Sequence, residues 1–233
     1  MAEGLAMGSG PGPHYTWVRD RLRDDIVNGV FEADQHLVLS RLCQRYRISI
    51  PPIREALNQL QVEGLVVLEP NRGARVRRIS SDFIRELFEI RAVLEPALVG
   101  RSVPHVTTAH IEALTAIQED FESAIVRSDH AALLRGNGRF HDYIYGVHPN
   151  GEAIRLLRQH ASVIATMRNR FGYQAGRLER IVEEHHALIR ACRYRDAPLA
   201  MAIARSHIEH SVDDLVGQMQ ESPAPVDGRV PGL

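Results

Sequence analysis

The 233-residue chain contains no lysine, and all 28 of its basic residues are arginine. A replacement this uniform reads as a compositional bias of the source, not as selection for bidentate contacts. Only two cysteines occur, Cys43 and Cys192, and they fall in separate helical patterns, which excludes a disulfide framework and fits a reducing, cytoplasmic setting. No apolar run approaches the roughly 20 residues that a membrane span requires. The opening MAEGLAMGSGPGP has neither the charged flank nor the apolar stretch of a signal peptide. Net charge is nearly absent as well, at -1, which excludes a protein that is basic all over. Any nucleic-acid surface must therefore be local. Residues 14–79 hold 11 arginines against 8 acidic residues, whereas residues 80–220 hold 16 against 18, so the small cationic surplus lies toward the N-terminus.

What is present is helical periodicity in two blocks, between Gly/Pro-rich ends that have little to bury. The expected organisation is a tail over 1–13, a first domain over 14–79, a second over 80–220 and a tail over 221–233. In the first block, Trp17, Val18, Leu22, Ile26 and Val27 recur at helical intervals up to the stop at Asn28-Gly29. A second helix is expected over Ser40–Tyr46. A third runs from Ser49 through Gly64, with Ile53, Leu57, Leu60 and Val62 as core candidates. Two short helices joined by a tight turn suggest helix-turn-helix. The following β-rich runs, Leu65–Glu69 and Ala74–Ile79, flank the turn Pro70-Asn71-Arg72-Gly73 and form a hairpin wing. From Ser81 onward, breaks near Val103-Pro104, Ser128, His148–Gly151, Gly172–Gly176 and Arg195–Pro198 divide the chain into six long helices, the first containing Pro96. The fold class is mainly α: a winged helix-turn-helix followed by an all-α antiparallel bundle.

Chemistry-bearing residues concentrate in the second block. Asn137 and His141 share one helical face by their i, i+4 spacing, and His185 and His207 lie on two later helices, able to converge on one ion inside the bundle. Imidazole suits zinc, nickel, iron and manganese, and an oxygen ligand completes a mixed site with open positions. A divalent metal, zinc first, with nickel, manganese or iron as alternatives, suits these donors, while among 12 histidines three on helices can equally be surface or capped residues. His186 and His210 are expected at the surface, and Glu184 on another face.

Residues 17–78 resemble the winged-helix domain of GntR-family bacterial repressors, through LRDDIVNGVF, PPIREALNQLQVEGLV and LEPNRGARV. Residues 82–215 resemble the helical effector domain of the FCD subfamily, through RAVLE at 91–95, NGRFH at 137–141, EHHAL at 184–188 and ARSH at 204–207. The resemblance implies a homodimer on an operator in double-stranded DNA, responsive to a small carboxylate effector, without membrane association. It places the first metal ligand at Asn137, where the family usually has Asp. An amide removes one negative charge and favours an anionic effector that completes the metal's shell. Arg91 is then the expected partner of the effector carboxylate, against an intrahelical pair with Glu95. Arg168, with Arg170, lies on a helix able to line the cavity.

In the winged-helix mode the second helix of the motif enters the major groove, and the wing grips backbone or minor groove. Arg41, Arg45, Arg47, Ser49, Arg54, Asn71, Arg72 and Gly73 are the contact candidates, with helix packing or dimer contact as the alternative for Arg54. The chain departs from the family where Ser-Arg-Thr-Pro is replaced by Ser49-Ile50-Pro51-Pro52, which removes a base-reading arginine, and neither Pro51 nor Pro52 can donate an amide proton to the cap or to a phosphate. Two further readings compete. One is a metal-dependent enzyme using the histidines to activate water; the other is a regulator whose metal is purely structural.

Overall fold

The computed structural model describes residues 13–70 and 72–221, with the side chains of 13–15 outside that description. The expected tails and Asn71 thus lie outside the described residues, apart from Pro13 and Glu221 at the helix ends. The chain divides between Ile79 and Ser80 into two compact units.

The first unit is built from α1 (Pro13–Val27), β1 (His36–Leu37), α2 (Leu39–Tyr46), α3 (Ile50–Val62), β2 (Val66–Glu69) and β3 (Gly73–Val76). Val18, Leu22 and Ile26 form the buried stripe of α1, and Ile53, Ala56, Leu57 and Leu60 that of α3. The two stripes share the head's core with Leu37, Leu42, Leu65 and Val76. Trp17 and Val62 fall off these faces and are exposed. Val62 stands two residues beyond Leu60, a rotation of about 200° that turns it outward. α1 and the end of α3 are also joined by a buried fork: Arg23 Nε and Nη2 donate to Glu63 at 2.7 and 2.6 Å.

The wing is a three-stranded antiparallel sheet in the order β1-β3-β2. β1, two residues long, carries no alternation to read and was absent from the expected hairpin. It pairs Leu37 with Ala74, and Val66 pairs with Val76 across the hairpin itself. Gly73 has φ +96° at the point where β3 meets β1, and a Cβ there would lie 2.2 Å from the Leu37 carbonyl oxygen.

The second unit contains α4 (Ser81–Ser102), a single 3-10 turn (Val103–His105), α5 (Thr108–Val126), α6 (His130–Val147), α7 (Gly151–Phe171), α8 (Arg177–Arg193) and α9 (Ala197–Glu221). The breaks fall where the punctuation places them, and α4 continues through the buried Pro96. Side-chain oxygens satisfy the first turns: Ser80 accepts from Phe83 N–H, Asp129 from Ala132, and Asn150 from Ala153. α4 packs along α9, α5 against α6 and α8, and α8 against α9. Leu98, Leu114, Phe140, Ile144, Leu188 and Ala200 belong to the main core, and Phe121, Leu133 and Ile181 to a smaller one.

Helix α3 starts differently. Ser49 is its N-cap, but no amide bonds its hydroxyl, because Pro51 and Pro52 occupy the positions whose N–H groups would donate. Ser49→Ala is therefore expected to change unfolding free energy by only a few tenths of a kcal/mol, whereas Asp129→Ala costs about 1 kcal/mol. Urea denaturation of the two variants checks this, and a loss at Ser49 equal to that at Asp129 refutes it.

Candidate functional site

The bundle brings the three expected histidine ligands to one place. Asn137 and His141 project from α6, His185 from α8 and His207 from α9, and the nitrogens that the three histidines offer all lie within 4.8 Å of one another. Their ring centroids form a nearly equilateral triangle, with sides of 4.9, 5.2 and 5.2 Å. Phe140 lies flat against His185 at 3.9 Å and 7°, which fixes that ring's plane.

Each ring is oriented through Nδ1. Nδ1 of His185 lies 2.7 Å from Gln118 Oε1 on α5, and the Gln118 amide in turn donates to Glu122 at 2.9 Å. Nδ1 of His207 lies 2.7 Å from Glu184 Oε2. Nδ1 of His141 lies 3.3 Å from the Tyr145 hydroxyl, which gives its own proton to Glu95 at 2.5 Å. Because Gln118 Oε1 and an ionised Glu184 only accept, and the Tyr145 proton is committed, Nδ1 carries the hydrogen in all three rings. In a neutral ring so tethered the lone pair falls on Nε2. Two buried acceptors on these residues have no partner, His185 Nε2 and Asn137 Oδ1. Unsatisfied acceptors are costly in a packed interior. Three convergent imidazoles tied down through Nδ1 fit a divalent cation, in the pattern by which outer groups orient metal-binding imidazoles, and Asn137 Oδ1, one turn before His141, is a buried oxygen left without a partner.

Electrostatics favour the same form. Burial pushes His141 well below the usual histidine range, reinforced by the charges of His207 and Arg91 and opposed by Glu184. Burial likewise lowers His185, with His141 and His207 adding to it. Both rings are neutral near pH 7, as a metal ligand must be. Burial alone would raise the Glu184 carboxyl, but its bonds to His207 and His210 and the charge of Arg177 bring it down to about 2. Glu184 is thus held as a carboxylate. It does not lie on a remote face, as expected from its position beside His185, but turns toward α9. His210, expected at the surface, is half-buried with Nδ1 2.6 Å from Glu184 Oε1, and His186 meets Glu122 at 2.7 Å.

Several participants were not anticipated. Arg177 is buried, donating to Glu184 at 3.0 Å, to the Ser211 hydroxyl and to the His207 carbonyl. Gln118 also went unassigned, Glu95 was weighed only as a partner for Arg91, and Tyr145 was expected only to pack. Tyr145 stands four residues after His141 and Glu95 four after Arg91, spacings that identify both as neighbours; nothing in the sequence marks Gln118.

The two expected effector arginines are placed differently. Arg91 pairs with Glu95 at 2.5 Å, the intrahelical alternative, while its Nε stays buried without a partner. Arg168 does not present its guanidinium to the histidines. It forms a buried ion pair with Asp214, donates to the carbonyls of Gly172 and Ser211, and lies over the Tyr173 ring at 4.6 Å. Asp214 also accepts from Gln174 N–H, so this cluster pins the α7–α8 loop to α9.

In the first unit, Arg41, Arg47, Ser49, Arg54 and Arg72 are exposed, and Arg47 ends α2 with φ 53°. Arg45 is partly committed within the head, where it reaches Asp25 at 3.2 Å and lies over Phe31 at 5.2 Å. Gly73 serves the close approach of β3 to β1.

Residues 14–76 match the family of bacterial regulatory proteins named gntR, and residues 86–210 match the FCD domain. An uncharacterized HTH-type transcriptional regulator of Bacillus subtilis, YdhC, is 23% identical over 91% of this chain and 95% of its own length. The gluconate operon transcriptional repressor of Bacillus licheniformis is 25% identical over 86% of this chain and 82% of its own. Among solved structures, E. coli McbR/YncC superposes with a TM-score of 0.69 at 19% identity, covering 89% of this chain and 99% of that one.

The Arg168–Asp214 pair yields a stability prediction. Arg168→Ala leaves a buried carboxylate uncompensated and is expected to cost about 3–5 kcal/mol, whereas Arg168→Met combined with Asp214→Leu recovers most of that loss. Urea unfolding of the helical unit's transition within the full chain reads the difference, and equal losses in both variants refute it.

Proposed function

Because the chain belongs to the gntR family of bacterial regulatory proteins, with an FCD domain, and is a DNA-binding transcriptional regulator like its relatives, we propose that it is a homodimeric repressor whose hold on an operator is released by a small carboxylate bound at the metal centre. The family and its named relatives are regulators, not enzymes.

The observation that carries the metal reading is the pair of buried, unpartnered acceptors, His185 Nε2 and Asn137 Oδ1, among three imidazoles tethered through Nδ1. Asn137, His141, His185 and His207 would hold one divalent ion, zinc by donor type, which as a Lewis acid would anchor an anionic oxygen. The chain's own residues set the terms of that binding. No donor of the set is a carboxylate or thiolate, so the centre would keep the full charge of the ion and select an anion to complete its shell. The Nε–H of Arg91 is buried without an acceptor and its charge reaches His141, which suits the second oxygen of a carboxylate. A relative named for the gluconate operon gives the same chemical class, since gluconate is a carboxylate.

For the head, α3 enters the major groove with Ser49 and Arg54, Arg41 and Arg47 approach from the preceding helix and turn, and Arg72 serves the wing. Release follows when ligand binding favours a different arrangement of the two heads in the dimer.

The test is binding of the purified full chain to the DNA upstream of its own gene at stated salt, in the presence of nonspecific competitor. Saturable binding is expected, weakened about 5- to 150-fold by the effector. Arg54→Ala should lower affinity and reduce the slope of log affinity against log salt by about 1 if it contacts phosphate. His185→Ala should bind less than one metal per chain by elemental analysis, and should keep DNA binding while losing the response to carboxylates. If chelation instead melts the helical domain, the metal is structural; binding that vanishes with competitor removes the regulator mechanism.

A further inference from the structure

Helix α4 carries an outward face that the bundle does not use. Ile90 and Val93 are 50% and 66% exposed, one turn apart, and Ala97 continues their stripe, also exposed. The stripe is closed at its ends by exposed residues of opposite charge, Glu86 on the N-terminal side and Arg101 on the C-terminal side. The positions 86, 90, 93, 97 and 101 advance by steps of four and three, which keeps them on one side of a helix. Met201 of α9, 39% exposed, widens the apolar surface at Gly100, where its sulfur would lie 2.5 Å from any added Cβ.

The pattern is its own complement when read backwards. An antiparallel copy of α4, related by a two-fold axis beside Val93, sets Ile90 against the small Ala97 of the other chain and Glu86 against its Arg101. Val93 then meets its counterpart near the axis. Within one chain Glu86 and Arg101 are separated by 15 residues of helix, about 22 Å, so they cannot pair with each other. Self-complementarity of both size and charge is what an isologous contact requires, and an antiparallel alignment also opposes the helix dipoles.

We propose that the outer stripe of α4, centred on Val93, is a two-fold contact between two copies of this chain. The inference rests on the homodimer reading above and adds to it the surface. Steps of three and four with a large residue facing a small one give the shallow interdigitation of helices crossing near 20°. Glu86 and Arg101 set the direction, because a parallel pairing brings like charges together at each end. The stripe by itself is the centre of an interface and not its full extent, since a stable dimer buries about 1,200–2,000 Å².

The experiment is sedimentation velocity on the full chain and on four variants, with circular dichroism to show that each is folded. The wild type is expected near twice 26.1 kDa. Val93→Arg places two guanidinium groups at the axis and is expected to raise the dissociation constant at least tenfold, moving the mass toward one chain. Glu86→Arg and Arg101→Glu should each weaken the dimer, and the double variant Glu86→Arg/Arg101→Glu should restore it, a rescue that no effect within one chain produces. Dimers that persist in Val93→Arg, or single charge variants that behave as wild type, overturn the surface while leaving the homodimer intact. A wild type that sediments as one chain at micromolar concentration overturns both.

Discussion

A buried imidazole has two nitrogens, and fixing the partner of one decides what the other can do. In this protein every histidine of the central cluster gives Nδ1 to a group that accepts: an amide oxygen on α5, the Glu184 carboxylate on α8, and a phenol whose proton is already spent on Glu95. Those three tethers come from outside the cluster, so the orientation of the Nε2 lone pairs is a property of the whole bundle. Desolvation keeps His141 and His185 uncharged, and the Phe140 ring holds His185 flat. Glu184 accepts from two histidines and Arg177 at once, joining α8 to α9 and the start of α8 to its middle. The site and the packing of five helices, α4, α5, α6, α8 and α9, thus share one network.

The arginines divide by environment. Some are consumed by the fold: Arg23 in its fork with Glu63, Arg168 with Asp214, Arg177 with Glu184. Their planar guanidinium groups meet carboxylates and carbonyls in directions a lysine ammonium does not fix. Others on the head, Arg41, Arg47, Arg54 and Arg72, remain at the surface. Arg45 lies between the two groups, exposed yet held over Phe31 and beside Asp25. Asp25, almost wholly buried, also accepts from the Tyr46 hydroxyl and so fixes the end of α2 against α1.

Helices and breaks were legible because amphipathic period and turn residues are local signals. β1 was not, since a pair of residues has no period and its partner lies over thirty positions away. Val62 was misplaced because apolar character was counted where the angular position decides. The histidines were legible through their spacing and their order along the chain. Gln118 was invisible, as a polar residue buried on one face of α5 differs from a solvent-facing one only by what stands across from it. Arg168 shows the same limit, because the sequence of α7 does not say which of its sides faces α9.

The two prolines at the front of α3 act before any partner arrives. Each fixes φ near the helical value in the unfolded chain as well, so the disorder lost on forming that turn is smaller than for other residues. A helix nucleus is otherwise expensive because several dihedral pairs must be set for one hydrogen bond. Here the chain carries part of that arrangement in its covalent structure. The same rings leave the front of the helix without amide hydrogens at Pro51 and Pro52, so an approaching phosphate finds no backbone cradle there. Recognition at that end falls to side chains mounted on a turn that is stiff from the outset and has little freedom to adapt.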